Sequence, residues 1–280
     1  MTVSIVTDST ADIPRALADE LKIDVIPLTI AFGTEQYRDG IDLTADEFYE
    51  RLPHAKVLPT TSQPPPALFR YAYEHLASRG DVVSVHLSHK FSGTVDTARS
   101  AATEVSAERI SVVDSGSASM GLGLCVIAAA RAAREGKSRE ECVRAAESAS
   151  QRVHVAVAFE TLDFLRRGGR IGRAQAFVGG LLRLKPILTV EDGEATPMAR
   201  VRSRGKALDE LLALATKFER VSDIVVLHTT TPEDAAQLAE RAHAARPEAR
   251  MLSGRFGPVL GVHGGPGMLG IAVVNEDAAG

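Results

Sequence analysis

Short apolar runs alternate with amphipathic runs along the first half of the chain. Val3–Thr7, Val25–Phe32, Asp81–Leu87 and Ile110–Val113 have the length and composition of β-strands. Helical patterns separate most of these runs, and Thr44–Glu47 has the sequence of a capping box that opens one helix. Strands separated by helices predict an α/β fold with a parallel sheet and right-handed crossovers.

The apolar run Val153–Phe159 opens a second unit of the same kind. We therefore predict two α/β domains, residues 1–155 and residues 156–280, with a largely parallel sheet in the first. Lys185–Val190 and Ala195–Arg202 flank an Asp-Gly pair, which predicts a β-hairpin. A helical run is predicted to reach Leu182.

Composition and charge narrow the function classes. Apolar residues make up 45% of the 280 residues, but aromatic residues only 5%, without Trp. That composition argues against a stacking platform for sugars or single-stranded nucleic acid. The formal net charge of −4 argues against a nucleic-acid binder.

Three further features of the sequence indicate the cellular compartment of the protein. No stretch has the length needed to span a bilayer, and no basic segment or long apolar run precedes the strand at Val3, so no signal peptide is expected. Cys125 and Cys142 lack metal-ligand spacing. They are expected to be small buried residues of a reduced, cytoplasmic protein.

Four short stretches rich in hydroxyl-bearing and acidic residues are placed after predicted strands and before predicted helices. These stretches are Thr7–Thr10, Thr60–Gln63, Ser88–Thr94 and Asp114-Ser115. In a parallel sheet such stretches lie at the carboxyl edge, where ligands bind. Hydroxyl and backbone N–H groups, with hardly any cationic side chain among them, suit a small anion or carboxylate better than bond-breaking chemistry.

Two of these stretches are the best candidates for holding an anion. Ser92 and Gly93 come just before a predicted helix, whose free N–H groups and dipole favour an anion, and Gly93 lets a ligand oxygen approach the backbone. Thr61 and Ser62 precede a triple proline that removes three backbone donors, which leaves hydroxyls as the main hydrogen-bonding groups. The alternative for both stretches is a simple helix cap. At Ser92 the spacing favours the helix cap and the anion site equally.

Carboxylates and a histidine allow other chemistries. Asp8 and Asp114 both follow strands and could form a magnesium site or an acid–base pair. Local bonding to nearby N–H groups explains them better, so they are expected to shape their turns. Ser92, His263 and Asp114 could instead form a hydrolase triad. Neither candidate serine lies in a Gly-x-Ser-x-Gly elbow, however, and His263 in its glycine-rich turn could instead donate to a bound carboxylate.

A basic cluster surrounds Gly168-Gly169. Its arginines are Arg166, Arg167, Arg170 and Arg173. A solvated face is the default for such a run, although arginine also suits contact with a phosphorylated group. The chain has no phosphate-binding loop or dinucleotide fingerprint, so no nucleotide, other cofactor or metal is expected.

Taken together, these stretches closely resemble the DegV family of bacterial fatty-acid-binding proteins. They occur in the family's order and cover nearly the whole chain. The matching stretches are Thr7–Asp12, Thr61–Pro64, Leu87-Ser88 with Phe91–Thr94, Val113–Ser115, Gly168–Ile171, Leu184–Ile187 with Asp192-Gly193, and His263–Gly267.

The resemblance implies a protein that encloses one long-chain fatty acid in an apolar tunnel between two domains. The first domain would carry the carboxylate-binding loops, and the second would close over the acyl chain. Thr61 and Ser92 match the residues that hold the carboxylate. The residues implied near them are Ser62, Gly93, Arg170 and His263.

The resemblance also implies a role as a non-catalytic carrier. In bacteria with a fatty acid kinase, proteins of this family present the carboxylate to a separate ATP-binding subunit, and the acyl-phosphate enters phospholipid synthesis. Two departures bear on the head-group geometry: Pro65 stands where the family often has serine, and Lys90 adds a basic residue at a variable position. The alternatives are an acyl hydrolase or transferase and a regulatory module for a different anion.

Overall fold

The computed structural model describes residues 2–178 and 184–277, which fold into three β-sheets with helices around and between them. The strands are β1 (Val3–Asp8), β2 (Ile23–Ile26), β3 (Thr29–Phe32), β4 (Glu35–Arg38), β5 (Thr60–Ser62), β6 (Asp81–His86), β7 (Ile110–Asp114), β8 (Val153–Ala158), β9 (Lys185–Glu191), β10 (Glu194–Val201), β11 (Val221–His228), β12 (Arg250–Arg255) and β13 (Leu269–Asn275).

Ten α-helices connect and cover these strands within the described residues. They are α1 (Arg15–Leu21), α2 (Ala45–Arg51), α3 (Pro66–Ala77), α4 (Thr94–Ser106), α5 (Met120–Arg134), α6 (Arg139–Arg152), α7 (Asp163–Arg167), α8 (Arg204–Thr216), α9 (Pro232–Ala245) and α10 (Pro258–Gly264). None of the helices in the described part of the chain is long and apolar enough to cross a membrane.

The first sheet is parallel, as the sequence predicts, with strand order β2-β1-β6-β7. Helices cover both faces of this sheet. Val6 and Val82 pack toward α3 and α4, while Ile5 and Val83 pack toward α5 and α6. The period of two along each strand sends successive side chains to opposite helical layers, which explains why the strands are apolar throughout.

The predicted strand Val25–Phe32 is wrong as a single element, because the chain divides it between two sheets. Pro27 stands between β2 and β3 and cannot donate to a strand ladder. Strand β3 then joins a separate antiparallel sheet with order β4-β3-β5. Ile30 of β3 pairs with Thr61 of β5.

This pairing corrects the expected position of the second hydroxyl stretch. Residues 60–62 form strand β5 of the separate sheet and do not follow a strand of the parallel sheet. No strand precedes them from residue 55 to residue 59. The other three stretches do follow strands of the parallel sheet, namely β1, β6 and β7.

The second large sheet has six strands in the order β10-β9-β8-β13-β11-β12, and only the β11–β12 pair is parallel. The predicted hairpin is confirmed as β9 and β10, with Asp192 and Gly193 in its turn at φ 50° and 79°. The first part of the predicted helical run to Leu182 is a 3-10 helix, Gly172–Phe177. The end of this run, residues 179–183, lies outside the described residues.

Helix α5 lies between the two large sheets. Its buried residues, such as Leu122 and Ile127, belong to one apolar cluster with Val83 of the parallel sheet and Val155 and Ala272 of the six-stranded sheet. The opposite face of the six-stranded sheet packs on α8 and α9. The two halves of the chain therefore share a core, and the division into domains at residue 155 stays a prediction.

The shared core predicts that both halves unfold together. Ile127→Ala should lower the free energy of unfolding by about 2–5 kcal/mol, because it removes buried methyl groups and leaves a cavity. Calorimetry and circular dichroism should show one transition for the whole chain, shifted to lower temperature. Val57→Ala, at a side chain that is 69% exposed, is the control and should change stability by less than about 0.5 kcal/mol. Two separate transitions, of which only one shifts, would contradict the shared core.

Candidate functional site

A cavity of about 380 Å³ lies between the six-stranded sheet and the start of helix α5. One face of the sheet forms its floor, since Val157, Leu188 and Gly270 occupy paired positions on three neighbouring strands. Ala272 lies two residues along β13 on the same face. Most of the wall is apolar, and small residues on the central strand leave the space above it open.

The polar residues of the wall come from segments far apart in the sequence. Five of the six predicted site residues line the cavity: Thr61, Ser62, Ser92, Arg170 and His263. The sixth, Gly93, is not among the lining residues. A β-carbon at position 93 would lie 2.6 Å from Oε1 of Gln63, so the glycine provides room for this side chain. Gln63 in turn donates to Thr97 at 2.6 Å and connects the end of β5 to α4.

Thr61 and His263 form the central contact of the polar group. The distance from Thr61 Oγ1 to His263 Nε2 is 2.8 Å. Strand β5 supplies the threonine. The sequence suggested that His263 lies in a glycine-rich turn. The residue instead lies in the last turn of α10, and the glycines that follow it end the helix. Gly265, at φ 76°, takes the backbone out of the helix directly after Gly264.

The protonation state of His263 follows from its surroundings. Burial and the nearby Arg170 guanidinium lower the pKa of His263 to about 4, so the ring is neutral near pH 7. Nδ1 of this ring is buried without a hydrogen-bond partner. We assign the proton to Nε2, because a protonated Nδ1 would be a buried N–H without an acceptor, and such orphaned donors are rare in proteins. Nε2–H then donates to Thr61, and the Thr61 hydroxyl hydrogen is available to another acceptor.

Ser92 precedes α4 without capping it. The N-cap residue of α4 is Gly93, which makes no side-chain cap bond. Ser92 Oγ lies 2.9 Å from Thr94 Oγ1 and accepts a hydrogen bond from Thr94 N at 3.3 Å. Ser92 therefore closes the turn before the helix and keeps its hydroxyl at the cavity wall.

Arg170 connects the glycine turn to the segment that carries Ser92. Its Nε donates to Phe91 O at 3.0 Å, and one terminal nitrogen donates to Gly168 O at 2.7 Å. These carbonyl contacts fix the guanidinium beside the cavity without neutralising its charge. An anion in the cavity would therefore meet an arginine held in position.

The two candidate aspartates shape their turns, as expected. Asp8 accepts from Thr10 N and Leu87 N, and Asp114 accepts from Gly116 N. Asp114 also pairs with Nδ1 of His89 at 2.6 Å. The carboxylate that a hydrolase triad would need at His263 is thus bonded elsewhere.

A second serine–histidine–aspartate set does have triad-like distances. Ser84 Oγ lies 2.7 Å from His86 Nε2, and His86 Nδ1 lies 2.9 Å from Asp8 Oδ2. All three side chains are fully buried, and Tyr73 donates to Ser84 at 2.8 Å. No substrate can reach this serine, so the set is a structural network. Within the described residues, no group of three or more His, Cys, Asp or Glu could hold a metal ion.

The sequence interpretation missed a buried carboxylate contact that holds α10 in place. Asp12 accepts from Gly257 N at 2.9 Å and from Ser119 Oγ at 2.5 Å. Ser119 lines the cavity and has φ 52°, a strained value for serine. Asp39 lies beside the same backbone, 3.9 Å from a β-carbon placed on Gly257. No sequence motif announces this contact, because its partners are more than 100 residues apart.

Fold and site together define an α/β protein with an apolar cavity between two sheets and a group of hydroxyl, imidazole and guanidinium groups on its wall. The chain belongs to the DegV family. The family model, described as "Uncharacterised protein, DegV family", matches residues 2–276. A DegV domain-containing protein of Streptomyces coelicolor is 38% identical over 278 residues, which cover 97% of this chain and 98% of the relative. Protein DegV of Bacillus subtilis is 35% identical, over 97% and 98% of the two chains.

Solved structures of the family have the same fold. A fatty-acid-binding DegV family protein from Thermus thermophilus superposes with a TM-score of 0.92 at 36% identity, over 98% of this chain and 100% of the other. DegV of Bacillus subtilis, described as a fatty acid binding protein, gives a TM-score of 0.89 at 36% identity, over 99% and 100%. The resemblance expected from the sequence motifs and the α/β fold class are both confirmed.

The buried carboxylates predict a pH dependence of stability. Burial, together with the neighbouring Asp8, raises the pKa of Asp39 from its usual 3.8 to about 7. A raised pKa means that the folded state favours the neutral carboxyl group. The contribution of Asp39 to the free energy of unfolding is therefore complete below about pH 4 and is lost as the pH rises through about 7. Between these values the free energy of unfolding should fall by on the order of 1 kcal/mol per pH unit relative to Asp39→Asn. Urea unfolding across this window measures it.

Asp42→Asn is the matched control, because Arg38 holds the pKa of the exposed Asp42 at about 2. This variant should shift stability by a constant amount across the window and leave its slope unchanged. Parallel pH profiles for the wild type and Asp39→Asn would show that Asp39 does not titrate there.

Proposed function

We propose that this protein binds one long-chain fatty acid in the cavity, with the carboxylate at Thr61 and Ser92. The observation that carries the proposal is the division of the cavity wall. Apolar side chains of two layers form most of it, and Thr61 and His263, joined by a hydrogen bond, are the centre of its polar region, which Ser92 and Arg170 also line. A molecule that is apolar along its length and anionic at one end matches this distribution.

The energetics favour such a ligand. Each methylene group transferred from water to the apolar wall contributes about 0.8 kcal/mol. A carboxylate is costly to bury unless it accepts hydrogen bonds. A few well-placed donors are therefore sufficient for the head group, because the acyl chain supplies most of the binding free energy.

The head-group contacts follow from the proton assignments. The Thr61 hydroxyl, which accepts from His263 Nε2–H, can direct its own hydrogen to a carboxylate oxygen. The Ser92 hydroxyl lies at the same wall, and the fixed charge of Arg170 favours an anion. The proposed support beside them is Ser62, which also lines the cavity, whereas the expected contribution of the Gly93 N–H has no support from the lining residues.

Descriptions of solved relatives support the ligand class. The proteins from Thermus thermophilus and Bacillus subtilis are described as fatty acid binding. A protein from Eubacterium ventriosum, described as a stearic acid-binding protein, superposes with a TM-score of 0.90 at 25% identity over 98% of both chains.

Removal of either head-group hydroxyl should weaken binding. Thr61→Ala and Ser92→Ala should each raise the Kd for hexadecanoate about tenfold to a hundredfold, since a hydrogen bond to a charged group contributes about 1.5–3 kcal/mol. Titration of delipidated protein measures the effect. Thr60→Ala is the matched control: this neighbour is exposed, does not line the cavity, and should leave the Kd unchanged. If the wild type takes up no fatty acid and native mass spectrometry finds none bound, the ligand assignment fails.

We propose further that the protein is a non-catalytic carrier that acts in the cytoplasm with a separate ATP-dependent fatty acid kinase subunit. Ser62 is exposed and Ser92 half-buried, whereas the floor residues Leu188, Gly270 and Ala272 are buried. A carboxylate at Thr61 and Ser92 would thus be within reach of a partner while the acyl chain stays covered. The sequence has no nucleotide-binding motif of its own, so the phosphate of the acyl-phosphate would come from the partner.

The carrier role predicts that acyl-phosphate forms only when this protein and the kinase subunit are both present. The loaded protein with ATP and magnesium should form no acyl-phosphate alone, and addition of a bacterial ATP-binding fatty acid kinase subunit should start ATP turnover that requires both proteins. Acyl-phosphate trapped as the hydroxamate measures the product, and Thr61→Ala should reduce it. Formation of product by the chain alone, or none with the kinase subunit from a compatible species, would contradict the carrier role while leaving fatty acid binding intact.

A further inference from the structure

We propose that Gly270 and Phe256 together set the longest acyl chain that the cavity accepts; this inference depends on the proposed fatty acid binding. Gly270 lies in β13, one of the strands of the cavity floor, and Phe256 follows the end of β12. Both residues line the cavity. Neither belongs to the polar region that the proposed function assigns to the carboxylate.

The ring of Phe256 lies directly on Gly270. A β-carbon at position 270 would lie 2.7 Å from Cζ of Phe256 and 3.3 Å from Cγ2 of Val157. Contacts as short as the first cannot persist, so any larger residue at this position must displace the ring. The φ angle of Gly270 lies outside the left-handed region, so its conformation is open to other residues and the contact with Phe256 is what requires glycine.

The backbone of Phe256 cannot move away to relieve such a contact. Its N–H donates to His228 O at 3.0 Å, and its carbonyl accepts from the Tyr49 hydroxyl at 3.0 Å. The next residue, Gly257, donates to the buried Asp12. The ring can therefore yield only by rotation about its side-chain bonds, and the free space beside it is the cavity.

The position of this ring along the cavity makes the effect depend on chain length. Phe256 precedes α10, and His263 lies in the last turn of that helix. The seven residues of α10 span about 10 Å along the helix axis, so the backbone of Phe256 lies at the end of the helix away from His263. A ring displaced into the cavity would obstruct the far part of a long acyl chain and leave a short chain undisturbed.

Gly270→Ala therefore should change chain-length preference and leave head-group binding intact. Wild type and variant are titrated with saturated acids from decanoic to octadecanoic acid. We expect equal Kd values for the shortest acids, and for the longest a Kd that rises about fourfold for each methylene group left in water. Gly254→Ala on β12 is the matched control, because its β-carbon would make only ordinary contacts, at 3.4 Å from Leu227.

A second substitution separates obstruction by the ring from general damage to the sheet. Gly270→Ala combined with Phe256→Leu should regain the wild-type Kd for octadecanoic acid, since the smaller side chain fits beside the new methyl group. Equal weakening for all chain lengths, or no rescue in the double variant, would overturn the inference.

If Gly270→Ala does not fold, Phe256→Leu alone tests the inference. It should lower the Kd for octadecanoic acid relative to decanoic acid, and an unchanged ratio would overturn the inference. The wild type in the same series keeps the two proposals apart. A wild type that binds no acid rejects the proposed function, whereas a wild type that binds with the same profile as Gly270→Ala rejects only the role of Gly270 and Phe256.

Discussion

The packing of α5 between two sheets is the constraint from which the cavity follows. The helix must cover part of the parallel sheet with residues such as Leu122 and Ile127, and its first turn must also face the six-stranded sheet. Large side chains would close that gap, but the central strand β13 presents Gly270 and Ala272 there. An internal space between otherwise close-packed layers is the result. Close packing elsewhere makes the space persistent, since neighbouring layers cannot collapse into it without losing contacts.

The electrostatics of the site come from burial more than from the number of charges. His263 is kept neutral, and its ring acts as a hydrogen-bond donor to Thr61. Arg170 supplies the positive charge, and backbone carbonyls hold its guanidinium in place. Asp12 accepts from Gly257 N directly before α10, the helix that carries His263, and the buried carboxylate of Asp39 lies beside this backbone. An anion at this wall would thus meet one fixed charge and neutral hydrogen-bonding groups.

Much of the architecture could be predicted from the sequence where local patterns decide it. The parallel sheet follows from apolar runs separated by helices, and the hairpin of β9 and β10 follows from its Asp-Gly turn. The division at Pro27 was missed because apolar residues on both sides of the proline read as one strand. The pairing of Thr61 with Ile30, and its contact with a histidine 202 residues away, depend on tertiary packing that no local pattern encodes.

The place of β13 in its sheet has a consequence for synthesis on the ribosome. Among the strands of the described residues this one comes last in the chain, yet it pairs with β8 on one side and β11 on the other. Until it emerges, the sheet consists of two unjoined parts, and the part of α5 that packs on β13 stays uncovered. Domains usually fold as their residues appear, but here the emerging chain must protect an exposed apolar helix until the final strand is inserted. Chaperones that recognise exposed apolar segments would thus meet α5 during translation, and premature termination before residue 269 would leave a product prone to aggregation.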